Sequence, residues 1–242
     1  MMRFLILLCL CLGAITAFAE EIVPLRDWDD FQQRLMARGA SAAEAQQRVD
    51  DLLDALRGMD RQAGADRIGV SAPPFKFDAW LNSEPMQVED LRGQVVLVRW
   101  WTDTCPFCAS SAPALRQLHK DYGSKGLTLI GVFHPKGPVE KSLDLPRVQR
   151  VVEQRNFEFS VAVDWDWRNN TLKDWWLTGP DRPATSVTFL LDQQGVIRFI
   201  HPGMEYHDDA GQENHSMCVD DMSRIRAEIE RLLEDPVGVA AT

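Results

Sequence analysis

A run of seven residues, Val95-Val96-Leu97-Val98-Arg99-Trp100-Trp101, is apolar at every position but one, and it leads directly to Cys105-Pro106-Phe107-Cys108. A run of that composition reads as a strand buried in the middle of a sheet. With a helix starting at the first cysteine, Cys105 sits where unpaired backbone N–H groups and the helix dipole favour a thiolate. A thiolate is the species that attacks disulfides, and two thiols at this spacing can close a disulfide across one helical turn. The spacing also serves a structural disulfide or half of a zinc site. Zinc would need two further ligands, and the sequence has no second CxxC and no HxxxH to supply them.

The N-terminus reads Met1-Met2-Arg3, then an apolar stretch from Phe4 to Phe18, then Ala17-Phe18-Ala19 before Glu20. This is the pattern of a signal peptide over residues 1–19, cleaved after Ala19, and it places the protein in the periplasm or outside the cell. The alternative is an N-terminal membrane anchor facing the periplasm, for which the stretch is short. No membrane span is expected after cleavage. Cys9 and Cys11 would leave with the segment, so Cys105, Cys108 and Cys218 would remain. So few cysteines cannot staple a chain of this size, which must bury an ordinary core. The formal charge is −10, and residues 1–19 contain one arginine and no acid, so cleavage would take it to −11. An acidic chain without a basic cluster excludes nucleic acid and anionic membrane surfaces as expected partners.

Residues 20–69 read as a helical hairpin and linker. Trp28, Phe31 and Leu35 recur at helical spacing, Gly39 interrupts, and Ser41-x-x-Glu44 is a capping box opening a second helix. Ala45, Val49, Leu52, Leu53 and Leu56 form its apolar face. The hairpin either packs onto its own domain as a cap or serves as a dimerisation or partner-docking arm. From residue 70 to 235 the pattern is mixed α/β, and residues 236–242 are a tail. Short strands are expected at Phe75–Phe77 and Met86–Val88, and long ones at 95–101 and Leu127–Phe133. A helix runs from Cys105 to near Gly123, another from Asp144 to about Arg155, and a short one from Asn169 to Trp176. Phe159–Val163 is a strand. Val187–Leu191 and Val196–Ile200 form a hairpin about Asp192-Gln193-Gln194-Gly195. Residues 219–233 form an amphipathic terminal helix.

This order, with CxxC at the first βα junction, is a thioredoxin-like arrangement: a central mixed sheet flanked by helices, carrying an N-terminal helical hairpin extension. The stretch Leu91-Arg92-Gly93-Gln94-Val95-Val96-Leu97-Val98 with Trp100, the CxxC, Pro113-x-Leu115-x-x-Leu118, Gly126-Leu127 and Gly131-Val132 resembles the TlpA/ResA-type thiol–disulfide oxidoreductases. Phe189-Leu190-Leu191-Asp192-x-x-Gly195 resembles their F-L-I-D-x-x-G hairpin. Gly131-Val132-Phe133-His134-Pro135 and Val161-Ala162-Val163-Asp164 are similar to the branch that includes the C-terminal domain of DipZ.

The resemblance implies that Cys105 is the nucleophile and Cys108 the resolving thiol of a redox-active disulfide acting on protein disulfides. Reduction is the family's usual direction. A partner, such as a membrane electron carrier, would reset the dithiol, and no cofactor is implied. The family's tryptophan before the first cysteine is Thr104 here. Trp101 is the candidate aromatic wall, and Phe107 adds apolar surface beside the thiol. The family's glutamate three residues after the second cysteine is Ser111, which leaves Asp103 or His134 as the candidate acid–base group. The family's cis-proline position falls on Ser186, within the substrate-pairing stretch Thr185-Ser186-Val187. Without that ring the two thiols are expected to be unusually open to metals and small oxidants.

Two other functions stay open at this point. One is a thiol peroxidase, with Thr102 at the peroxidase threonine position but Val98 where that pattern needs proline. The other is a thioredoxin-fold binding module that uses the thiols for metal or the hairpin for a partner. His215-x-x-Cys218, with His207 nearby, has metal-like spacing but reads equally as a solvated loop with one spare thiol, and no metal site is assigned. Trp165, Trp167, Trp175 and Trp176 read as core packing or as a wall of a substrate groove.

Overall fold

The computed structural model describes residues 25–136, 142–180, 182, 184–208 and 216–234. The segment 1–19, read above as a signal peptide, Pro183, His215 and the tail 236–242 lie outside the described residues. Helices α1 (Trp28–Ala37) and α2 (Ala42–Arg57) come first, followed by β1 (Ala79–Leu81), β2 (Val95–Trp101), α3 (Pro106–Tyr122) and β3 (Leu127–Phe133). Then come α4 (Leu145–Gln154), β4 (Ser160–Val163), β5 (Thr188–Leu191), β6 (Ile197–His201) and α5 (Ser216–Glu234). The six strands form one sheet in the order β1-β4-β3-β2-β5-β6.

The apolar runs become the centre of that sheet. β2 pairs parallel with β3, Val95 opposite Leu127 through Trp101 opposite Phe133, and antiparallel with β5, Val98 opposite Phe189. Every residue of β2 is buried because helices or loops cover both faces. Alternate residues feed two cores. Leu97, Trp101, Leu129 and Phe133 pack with Leu115, Leu118, Val151, Met222 and Ile225 on the helical face. Val96, Val98, Trp100 and Phe189 meet Phe75, Trp175 and Trp176 on the other.

Two expected strands are not formed. The first short strand is Ala79–Leu81, antiparallel to β4, and Val88–Leu91 is a turn of 3-10 helix. Phe75 is fixed by ring stacking on Phe77 at 4.8 Å and on Trp175 at 5.5 Å. The Asp90 carboxylate accepts from Gln87 N at 2.8 Å, a local bond that competes with a strand ladder. The segment expected to be helical around Trp175 contains a π-helical stretch, Lys173–Leu177. The 192–195 turn forms as expected. Asp192 Oδ1 accepts from Gln194 N and Val196 N, each at 2.9 Å, and Gly195 has φ +71°.

One buried carboxyl ties β2 to the segment that follows β4. Asp164 accepts from Trp100 Nε1 at 3.1 Å and from Leu172 N at 2.8 Å, and burial pushes its pKa up from 3.8 to about 6. Within that window the folded chain holds a proton that the unfolded chain has lost, so stability falls as pH rises through it. A shift of this size is worth about 3 kcal/mol at most. Asp164→Asn keeps an acceptor oxygen and removes the ionisation. Urea midpoints of this variant are expected to lose that part of their pH dependence, and an unchanged slope would exclude Asp164 as its source.

Candidate functional site

Cys105 is the N-cap of α3, with extended φ −110° and ψ 121°, and Pro106 occupies the first turn, where its missing N–H costs nothing. The backbone N–H groups of Cys108 and Ala109 both donate to Cys105 O at 3.1 Å. Both cysteines are free thiols and both are buried, Cys105 6% exposed and Cys108 2%. The expected openness is therefore corrected, because the N-terminal hairpin covers the motif. Trp28 of α1 packs edge-on against Phe107 at 5.0 Å, and Leu25 N donates to Asp103 O at 2.8 Å. The hairpin thus packs in cis, its second helix opened by the expected capping box. Ser41 N donates to Glu44 Oε2 at 2.8 Å, and Glu44 N to Ser41 Oγ at 3.3 Å.

The thiols share one proton. The hydrogen bond from Cys105 pushes Cys108 down to about 5, against the cost of burial and with the help of Arg99, Arg155 and Lys136. The same hydrogen bond, then burial, pushes Cys105 up. The first ionisation therefore belongs to the pair, with the remaining proton held in the Cys105–Cys108 hydrogen bond. Charge at the helix start is one influence, and two buried guanidinium groups are another.

These two cations were not singled out in the sequence. Arg99, on β2, is fully buried, donates to Thr188 Oγ1 at 3.1 Å and to Met204 O, and stands 4.9 Å over the Tyr206 ring. Arg155, just past α4, stands 4.9 Å over the Trp101 ring and donates through Nη2 to Thr102 O at 3.1 Å. Its Nε and Nη1 are buried with no hydrogen-bond partner among the described residues. Only Arg99 left a signal, as the single charge inside the apolar run.

A groove of about 300 Å³ opens beside Cys105. One wall is Phe31, Arg48 and Leu52 of the hairpin, and the other includes Pro106, Phe107, Lys136, Ser186 and Met204. Of the expected substrate-binding residues, Phe107 and Ser186 line it. Thr185 is half-buried, and its hydroxyl has no hydrogen-bond partner among the described residues. Val187 belongs to the core, its carbonyl accepting from Trp100 N at 3.0 Å, and Trp101 is buried beneath Arg155. No described peptide bond is cis. Gly203, at φ +136°, faces Ala184 so closely that a Cβ there would overlap it, and Met204 N donates to Ser186 Oγ at 3.3 Å. That packing holds the backbone at Ser186, the position where the family has its cis-proline. The four tryptophans 165, 167, 175 and 176 are buried and do not line the groove.

The candidate acid–base residues have other surroundings. Asp103 is fully buried and paired bidentately with Arg147, at 2.6 and 3.0 Å. His134 is fully buried against Trp167, and burial together with Lys136 pushes it down to about 3, so it is neutral at physiological pH. Ser111, in place of the family's glutamate, donates to Phe107 O at 2.9 Å and accepts from Tyr206 N at 3.2 Å. It fastens the segment after β6 to the active-site helix. That segment brings in a buried carboxylate, Glu205, which accepts from Trp28 Nε1 at 3.2 Å and from Cys218 Sγ at 3.6 Å. Burial, then Glu205, pushes the Cys218 thiol up to about 12.

Residues 68–200 match the AhpC/TSA family. Protein DipZ of Mycobacterium tuberculosis is 29% identical over 141 residues, 55% of this chain and 18% of DipZ. The thiol-disulfide oxidoreductase ResA of Oceanobacillus iheyensis is 25% identical over 142 residues, 57% of this chain and 66% of ResA. The crystal structure of a thiol:disulfide interchange protein DsbE from Chlorobium tepidum superposes with a TM-score of 0.51 at 21% identity, over 73% of this chain and 99% of that one. This likeness shows the thioredoxin-like fold. The chain spans 12% and 18% of the length of the first curated relatives it matches. The resemblance read from the motifs is borne out.

Proposed function

The chain belongs to the AhpC/TSA family, and from that premise we propose that it is a thiol–disulfide oxidoreductase acting on protein substrates through Cys105 and Cys108. The observation that carries this reading is the free dithiol at the N-terminus of α3, with Cys105 lining a groove. With the shared proton on Cys108, Cys105 is the thiolate facing a substrate disulfide. Cys105 attacks, forming a mixed disulfide and expelling one substrate thiolate. Cys108 then loses its proton and attacks Cys105, which releases the second substrate thiolate and leaves the Cys105–Cys108 disulfide. Two electrons pass to the substrate. In the reductase direction implied by the family, a separate donor, such as a membrane electron carrier, restores the dithiol.

The N-terminal pattern supports a location for this reaction in the periplasm or outside the cell. Among the described residues no helix is long and apolar enough to cross a membrane. Insulin reduction with dithiothreitol as donor tests the proposal. The wild type is expected to accelerate turbidity, and Cys105→Ser to give only the background rate. Peroxide reduction is a second reading, favoured by the family match. Against it, Thr102 is buried with its hydroxyl donated to Asp103 at 3.2 Å. Peroxide consumption dependent on Cys105, without insulin reduction, would select that reading.

The groove suggests what it admits. Arg48 and Lys136 line it, no acid does among the described residues, and the rest is largely apolar, although the whole chain is acidic. Disulfides flanked by Asp or Glu are therefore the expected substrates. Arg48→Glu is expected to raise KM for an acidic disulfide peptide by about threefold to tenfold, with kcat little changed. An equal loss on a neutral peptide would show that charge does not select.

A further inference from the structure

We propose that Glu205, His207 and Cys218 form a binding site for a divalent metal ion of the zinc type, distinct from the dithiol. One ligand atom from each residue lies within 4.8 Å of the other two. A thiol, an imidazole and a carboxylate form a mixed S, N and O set that suits zinc and excludes magnesium or calcium.

The fold brings these residues together from distant parts of the chain. Glu205 and His207 flank Tyr206, whose hydroxyl lies 3.2 Å from Thr188 Oγ1 beside Arg99, so the segment after β6 sends its middle side chain into the core. Cys218 comes from the first turn of α5, and His207 N donates to Cys218 O at 3.4 Å, fixing the segment against that helix. Glu205 and Cys218 are buried and His207 is half-buried, which gives an ion one open side for entry and for a water ligand.

Outer support is also present. Trp28 Nε1 donates to Glu205 Oε2 at 3.2 Å and holds the carboxylate by the oxygen not facing Cys218. On binding, the Cys218 S–H bond breaks, a metal–sulfur bond forms and the proton passes to solvent. Because Trp28 also packs on Phe107, an ion here would stiffen the hairpin wall of the groove.

The test is a cobalt(II) titration of the full chain carrying Cys105→Ser and Cys108→Ser, which removes the dithiol as a competing ligand. One equivalent is expected to give a sulfur-to-cobalt charge-transfer band and visible bands of a low-coordinate site, both abolished by added zinc. Adding Cys218→Ser should remove the charge-transfer band. Adding His207→Gln should leave that band but weaken affinity at least tenfold, as loss of a ligand does. Circular dichroism establishes that each variant is folded, and if the Cys218 variant is not, His207→Gln decides. The proposal is overturned if no band appears, if its intensity survives Cys218→Ser, or if His207→Gln leaves the affinity unchanged.

Discussion

Replacing Cys108 with serine is expected to stop turnover and leave a substrate covalently attached to Cys105. Serine cannot resolve a mixed disulfide, so the first half of the exchange occurs and the second does not. A disulfide-bonded adduct should appear on non-reducing gels and vanish with reductant, and mass spectrometry should place it on Cys105. Cys105→Ser should form none, because Cys108 and Cys218 are 2% and 1% exposed and neither lines the groove. Loss of either sulfur should cost more than a hundredfold in insulin reduction, since the two act as one unit and a residual rate is only that of dithiothreitol. Equal adduct on both variants would show that the sulfurs are interchangeable and that α3 does not set their roles.

Neutralising Arg155 should have the next largest effect, and it acts on energetics alone. Arg155→Met keeps an apolar stem over Trp101 and removes a charge that lowers the pKa of Cys108. Arg99 remains, so the first thiolate pKa is expected to rise from about 5 by about one unit. The sign for redox follows. The guanidinium stabilises the thiolate, which exists only in the reduced form, so removing it destabilises the reduced form and lowers the reduction potential. One unit corresponds to about 30 mV at neutral pH. Ultraviolet thiolate absorbance against pH gives the pKa, and equilibration with a glutathione buffer gives the potential. Arg155→Lys, which keeps a charge, should fall between wild type and Arg155→Met. A potential that rises in Arg155→Met would contradict the electrostatic account.

What was legible in the sequence was local. The apolar runs at 95–101 and 127–133 had nowhere to go but a covered sheet, and Ser41 with Glu44 announced a helix start through chemistry contained within four residues. The CxxC was legible because its function depends on where one helix begins. The groove and its electrostatics were not. Arg155 reaches the dithiol from beyond α4, Glu205 reaches Trp28 across most of the chain, and no periodicity encodes either approach. Asp103 and His134 drew notice as titratable residues close to the motif or on a neighbouring strand end. Sequence proximity cannot show that one meets Arg147 and the other an aromatic ring. The failed strand at Phe75–Phe77 has the same origin, because its aromatic residues satisfy each other and Trp175 in place of a strand partner.

The hairpin illustrates a second limit. Its amphipathic pattern showed that it must bury a face but not which surface it would bury against. The structure sets Trp28 on Phe107 and lines the groove with Phe31 and Leu52, so an extension outside the core of the fold becomes part of the site.

The central claim is that Cys105 and Cys108 form a reversible dithiol–disulfide couple, and an equilibrium redox titration of the wild-type chain tests it most directly. The protein is equilibrated across a range of thiol–disulfide buffers, quenched in acid and alkylated, and the state of each cysteine is read by mass spectrometry. The account predicts a single transition in which Cys105 and Cys108 lose two thiols together, fully reversible from either direction, with Cys218 unchanged. If both sulfurs stay reduced throughout, or if oxidation links Cys218 or a second chain in place of the Cys105–Cys108 pair, the account is wrong.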